Sequence, residues 1–449
     1  MSRPRVLVVA GERLGGRMAG PAIRALELAR ALSAECAVTV AAPPGSALEG
    51  VDAALVLAGP TEQRALLAVA RAHDVVLVQQ APPQLLLALA REPVRIVADL
   101  YTPLVLEALE AVRGQPPGAA RRVQRLAARQ TLATLAAADL VLCASERQRD
   151  LWLGAMAVSG LLDLDAYAGD PSLRALVAVV PFGVPAGAPQ RGTAPVLKGV
   201  RPGIAADHRV LLWGGGIWRW LDALTPIRAV ERLRAHRDDV HLVFLGAARP
   251  SAVPADVPSA AAAAIACARE RGLLDRSVHV LDGWVPYAER GRWLAEADVG
   301  VTAHHDHVET RFAFRTRILD YLWAGLPVVG TTGDALTDRL EAGVGAGDDI
   351  AFAAALEQVL DAGPERDAAR ARSGALATEL AWERSAAPLL AFCRGHAERP
   401  RRRRHLGVLT RATLAQYPDS LARTWRTEGP GTAARRVARN AGRLMGRAG

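Results

Sequence analysis

Twice along this chain, short apolar runs alternate with helical patterns, and Pro185–Asp207, rich in Pro, Gly and Ala, separates the two series. Apolar runs without polar alternation read as strands buried on both faces, which requires helices on both sides of a parallel sheet. The first series places strands at Arg5–Ala10, Ala37–Ala41, Asp74–Gln79, Val94–Asp99, Asp139–Cys143 and Leu176–Pro181, with helices near Pro21–Leu32, Thr102–Val112 and Arg121–Ala137. The second places strands at Val210–Trp213, Val240–Leu245, Val278–Leu281, Val299–Thr302 and Pro327–Gly330. Helices near Leu224–Ala235, Ser259–Arg271, Ala288–Ala295, Thr316–Ala324, Leu336–Ala342 and Ile350–Leu360 lie between and after them. The pattern restricts the fold to two α/β units of the Rossmann-like kind.

The 449 residues leave room for both units and a tail. The expected division is a first domain over 1–190, a second over 191–374, a helix containing Trp382 that returns to the first domain over 375–395, and a basic tail over 396–449. Two such sheets leave a cleft between them, and their ligands bind beyond the carboxyl ends of the strands.

Composition narrows the function classes. Hydrophobic residues make up 51% and charged ones 22%, so each unit can bury a full core. Arginine is abundant and Lys198 is the single lysine, which weakens any one arginine as evidence for a phosphate site. Cys36, Cys143, Cys267 and Cys393 are widely spaced, with no metal-ligand or CxxC pattern, and read as reduced thiols. The run Val6–Ala10 is too short for a signal sequence, and no apolar stretch approaches a membrane span, so a cytoplasmic protein is expected. The net charge of +9 is uneven: from Arg394 onward 14 Arg face three acids, while the preceding 393 residues are slightly acidic.

Three segments sit where strand ends meet helix starts. In Gly11–Gly20, glycines followed by Pro21 at a helix start let backbone N–H groups approach an anion, or merely serve the turn. Trp213-Gly214-Gly215-Gly216-Ile217-Trp218-Arg219-Trp220 follows an apolar strand and precedes a helix capped by Asp222. It forms a phosphate nest without the Lys-Ser/Thr of a nucleotide-hydrolysing loop. Arg219 would add charge there, unless it is a surface residue between two packing tryptophans. The third segment runs from His304-His305-Asp306-His307 through Glu309, Arg315, Thr316 and Arg317 to Asp320. Helix N–H groups at Thr316 would face a phosphate, and Asp320, one turn inside, would accept both hydroxyls of a ribose or simply face solvent. By composition the histidine cluster fits a metal site; on such a loop it more often contacts substrate, and no metal is assigned.

The stretch Asp320-Tyr321-Leu322-Trp323-Ala324-Gly325-Leu326-Pro327-Val328-Val329 resembles the acid-Ala-Met-Ala-x-Gly-x-Pro-Val-Val signature of retaining family 4 glycosyltransferases, whose fold is GT-B. Gly20-Pro21-Ala22-Ile23-Arg24, Val180-Pro181-Phe182-Gly183-Val184, Val243-Phe244-Leu245-Gly246 and Gly283-Trp284-Val285-Pro286 resemble further landmarks in the same order, so the resemblance covers about residues 5–393. It implies transfer of a sugar, with retention and no metal or other cofactor, from a nucleotide-sugar donor to a glycan or lipid-linked acceptor. The donor set it implies is Gly20, Arg24, Gly215, Gly216, Trp218, Arg219, Val285, Arg315, Thr316, Arg317 and Asp320. His304 or His305 would bond the transferred sugar or its phosphate. The family's first glutamate falls on Phe312, leaving Glu309 as its replacement three residues upstream. Asp99 would position the acceptor hydroxyl or cap the helix at Thr102. The glycine and arginine strings together resemble a bacterial subgroup that builds surface glycans.

Two other readings compete. A sugar-nucleotide epimerase shares the two-domain shape but needs paired acid/base residues, and no convincing set stands out. A nucleic-acid-binding protein would use the Arg401–Arg404 run, yet the tail offers only Tyr417 and Trp425 for stacking. Thr432–Arg447 instead sets Ala434, Val437, Ala441, Leu444 and Met445 on one helical face among four arginines, a pattern suited to the anionic inner face of a membrane.

Overall fold

The computed structural model describes residues 3–162, 164–246, 260–281, 283, 285–396 and 405–415. Its first sheet consists of β1 (Arg5–Val9), β2 (Ala37–Ala41), β3 (Ala54–Val56), β4 (Val75–Val78), β5 (Arg95–Asp99), β6 (Leu140–Cys143) and β7 (Val177–Val179). They lie in the order β3-β2-β1-β4-β5-β6-β7. The second holds β8 (Arg209–Gly214), β9 (Val240–Leu245), β10 (Val278–Leu281), β11 (Val299–Thr302), β12 (Val328–Thr331) and β13 (Gly343–Val344), in the order β10-β9-β8-β11-β12-β13. Every pairing in both sheets is parallel. This is the two-domain, doubly wound GT-B architecture.

Burial explains the unbroken apolar runs. Val6 and Val8 enter one apolar cluster while Leu7 and Val9 enter another on the opposite face of the sheet. Val210 and Leu212 are likewise divided from Leu211 and Trp213. The cluster holding Val6 and Val8 also holds Val210, Leu212 and Ile318, so one apolar core runs through both domains. Three of the four thiols are buried, Cys267 is half-buried, and all four are free.

Strand order reverses between β1 and β4 in the first sheet and between β8 and β11 in the second. At such a point the helices after neighbouring strands diverge to opposite faces and leave a crevice beyond their carboxyl ends. The glycine-rich segments after β1 and β8 open onto these two crevices.

The chain returns to the first domain after the helix Pro364–Glu379. Val184 bridges Ala381, and Trp382 packs on Phe182 with ring centroids 5.3 Å apart. Gly183 permits this approach, since a Cβ there would lie 2.4 Å from the indole. The segment beginning at His396, expected wholly as an appended tail, departs from that expectation. Leu406–Leu414 is a helix lying on Pro83–Leu89 and Pro117–Ala137, with Leu409 fully buried. Its apolar positions Leu409 and Ala412 are one turn apart but sit among arginines, which hides the pattern in the sequence. Residues 416–449, including the Thr432–Arg447 pattern, lie outside the described residues, as does the Arg401–Arg404 run. Among the described residues no helix is long and apolar enough to cross a membrane.

Candidate active site

The crevice between β8 and β11 collects most of the polar residues singled out above. At the end of β8 the chain turns through Gly215 at φ +76°, a conformation that favours glycine. At Gly216 a Cβ would lie 2.6 Å from the indole of Trp218, which stacks beside Trp220. Arg317 braces the turn: its Nη2 donates to Gly216 O at 2.8 Å and its guanidinium lies 4.4 Å from the Trp213 ring centre. Burial, followed by the nearby Arg315, pulls the Arg317 pKa down to about 10, and its Nη1 is buried with no partner among the described residues. Asp222 caps the following helix, accepting the N–H groups of Leu224 and Thr225.

Tyr321 locks this geometry. Its hydroxyl accepts Gly214 N–H at 2.8 Å and donates to Val301 O at 2.9 Å, tying β8 to β11. Its ring occupies the space over Gly300, where a Cβ would fall 2.3 Å away. Burial raises this phenol to about 12, so it stays a neutral donor and acceptor. Nothing in the sequence marked Tyr321 except its place inside the signature-like stretch.

Helix Thr316–Trp323 carries Arg317 and Asp320 three residues apart, while Ile318, Leu319 and Leu322 are buried. Asp320 Oδ1 accepts from Arg290 Nε at 2.9 Å, and about 35% of its side chain is exposed. Arg290 lies between the rings of Tyr287 and Trp323, 3.6 and 4.6 Å from their centres. The sequence reading missed Arg290, because its partner is thirty positions away. Tyr287 also meets the first domain, its N–H donating to Gly16 O and its hydroxyl to Glu27, both at 3.0 Å. Val285, half-buried, packs against the shared core.

The loop after β11 separates residues that the sequence grouped. His304 is fully buried; its N–H meets Thr331 Oγ1 and its Nε2 meets Thr332 O, each at 3.0 Å. A carbonyl partner puts the proton on Nε2. Burial and Arg315 push the imidazole down to about 3, so it is neutral. Its Nδ1 has no hydrogen-bond partner among the described residues and lies 3.9 Å from Asp334, a buried carboxylate raised to about 6 by burial. His305 is exposed and His307 half-buried. Among the described residues no three His, Cys, Asp or Glu side chains converge as metal ligands.

Glu309 and Arg315 form a buried bidentate pair at 2.8 and 3.1 Å. Each neutralises the other here, so neither points as a free group into the crevice. Thr316 opens the helix, half-buried.

The first domain corrects two assignments. Asp99 does not face the cleft and does not cap a helix at Thr102; the helix begins at Leu104. Asp99 is buried beneath Arg24, which contacts it at 2.7, 2.8 and 3.0 Å and also donates to Val180 O. Both side chains are wholly excluded from solvent, and an arginine so buried needs its charge matched, which redirects both residues inward. Gly20 begins the helix Gly20–Ser33, with the Tyr101 hydroxyl 3.5 Å from where a Cβ would stand. Arg219 is exposed and reaches across the cleft, its Nη2 donating to Arg113 O at 3.0 Å.

Residues 208–362, a third of the chain, match the family described as glycosyl transferases, group 1. No curated protein matches the chain in sequence. Among solved structures it resembles a UDP-forming alpha,alpha-trehalose-phosphate synthase from Burkholderia xenovorans at 15% identity and a TM-score of 0.61, covering 88% of this chain and 100% of that one. A second such synthase, from Burkholderia vietnamiensis, gives 14% and 0.61 over 88% and 100%. An E. coli trehalose-6-phosphate structure bound with UDP-2-fluoro glucose gives 13% and 0.55 over 87% and 98%. The family match and the shared fold together support a glycosyltransferase built from two facing Rossmann-like domains.

Proposed function

We propose that this protein transfers a sugar from a nucleotide-sugar donor, with retention of anomeric configuration and without a divalent metal, to a glycan or lipid-linked acceptor. The observation carrying this reading is the convergence, beyond β8 and β11, of the Gly214–Gly216 turn with Arg317 and Asp320 on one helix. Asp320 would hold the ribose, with Arg290 fixing its orientation. The diphosphate would lie on the N–H groups of the glycine turn and of the Thr316 helix start, with the unpartnered Nη1 of Arg317 supplying full charge. Such preset donors stabilise the charge that develops as the sugar–phosphate bond breaks. His304, held neutral with a fixed tautomer, would stand on the sugar side of this crevice, behind the Thr332–Gly333 turn. The acceptor would enter from the first domain, presented at an anionic membrane surface by the basic tail.

A calorimetric screen of nucleoside diphosphates and their sugars against the purified chain tests the donor site. We expect one base to bind at least about tenfold more tightly than the others, and transfer with that donor to persist in EDTA. Failure of every nucleotide to bind overturns the reading, as does activity lost to chelator and restored by Mn²⁺.

A further inference from the structure

Helix Glu146–Val158 belongs to the first domain, yet its first turn is anchored on the second. Ser145 caps it by accepting the Gln148 N–H at 3.3 Å. The Gln148 side chain is fully buried, and three bonds fix its carboxamide. Oε1 accepts Ala144 N–H at 2.7 Å, while Nε2 donates to Tyr101 O and Phe312 O, both at 2.8 Å. A flipped amide would set N–H against N–H and oxygen against two carbonyls, so one orientation alone is stable. Tyr101 follows β5 in the first domain, whereas Phe312 ends the short helix Val308–Phe312 that carries Glu309 in the second. One amide therefore ties the two facing edges of the cleft.

Arg147, beside it, makes a second tie. It donates to Gly333 O at 2.9 Å and pairs with Asp338 at 3.0 Å, and Asp338 in turn accepts Gly333 N–H at 2.8 Å. Gly333 sits at φ +117°, and a Cβ there would stand 3.9 Å from His304 Nε2. Its neighbour Thr332 supplies the carbonyl that orients the His304 ring. The two bridges thus clamp both strands of backbone flanking His304 and the Glu309–Arg315 pair.

We infer that Arg147 and Gln148 are positioning residues that couple closure of the cleft to the setting of His304 and the Glu309–Arg315 pair. The inference rests on the sugar-transfer reading of this cleft. When the domains part, both residues lose their second-domain partners to water, and the Thr332–Gly333 turn and the Phe312 segment lose their brace. When the domains close, the same carbonyls are recaptured and the crevice regains one geometry.

The test uses the full chain with Arg147→Ala, Arg147→Lys and Gln148→Met. About 44% of the Arg147 side chain is exposed, so its loss does not threaten folding. Small-angle scattering of the ligand-free proteins should give a larger radius of gyration for Arg147→Ala and Gln148→Met than for wild type. Affinity for whichever nucleoside diphosphate the calorimetric screen selects should change less than about twofold, because the donor contacts lie within the second domain. In transfer assays kcat should fall about tenfold or more at nearly constant donor KM, with Arg147→Lys recovering part of the loss. Scattering curves superimposable on wild type overturn the inference, as does an unchanged kcat. Scattering alone decides the latch if no donor is turned over, so failure of the transfer reading is seen separately.

Discussion

Asp320 gives one oxygen to Arg290 and keeps about a third of its side chain open at the mouth of the β8–β11 crevice. Replacing it with alanine should weaken nucleoside diphosphate binding by about 1–3 kcal/mol, the range for a lost charge-assisted bond. The fold should survive, since Arg290 remains held between Tyr287 and Trp323. Unchanged affinity in calorimetry would remove the ribose assignment. At this scale the sequence revealed residue types better than partners. Glycines, acids and arginines stood out because their positions between strand and helix are chemically unusual. That Asp99 belongs to Arg24, Glu309 to Arg315 and Asp320 to Arg290 depends on side-chain reach across a folded core, which no spacing encodes.

The strands were legible because most central ones are mainly apolar runs, and their ends were read to within a residue or two. The edge strands β3 and β13 escaped notice: three and two residues long, each is covered by fewer neighbours and carries little pattern. A different feature of the second sheet has thermodynamic weight. His208, just before β8, His241 in β9 and His279 in β10 form a chain of ring contacts, Nδ1 to Nε2, at 2.8 and 3.1 Å. Burial and the flanking histidines push His241 down to about 4, and burial lowers His279. Both take up protons more readily when unfolded, so this part of the stability is present above the usual histidine pKa and is lost as pH falls through it. Denaturant titrations should show His241 withdrawing roughly 2 kcal/mol of stability between pH 7 and pH 4.5. Comparison with His241→Phe isolates the effect: the variant should lack that share of the pH slope, and parallel slopes would disprove it.

Taken whole, the molecule was readable as two α/β domains and a cleft, while the docking of its last described helix was not. That helix resets where the tail can be cut. A chain ending at Ala415 should keep its stability and nucleotide binding, yet lose seven Arg against two acids. With each arginine near an anionic surface contributing about 1 kcal/mol, it should cease to sediment with phosphatidylserine vesicles, whereas the full chain should do so in a salt-dependent way. Equal pelleting of both, or a preference of the full chain for DNA at physiological salt, would end the membrane proposal. A chain ending at Cys393 should instead be destabilised, because Leu409 leaves the first domain's core. The same return of Trp382–Arg394 and of Leu406–Leu414 to a domain that begins at β1 also sets an order of events during synthesis. The second domain is continuous in sequence and can complete its sheet while the ribosome is still translating the last helices. The first domain emerges earlier but waits, with the seats of Trp382 and Leu409 vacant, until the far end of the chain arrives to fill them.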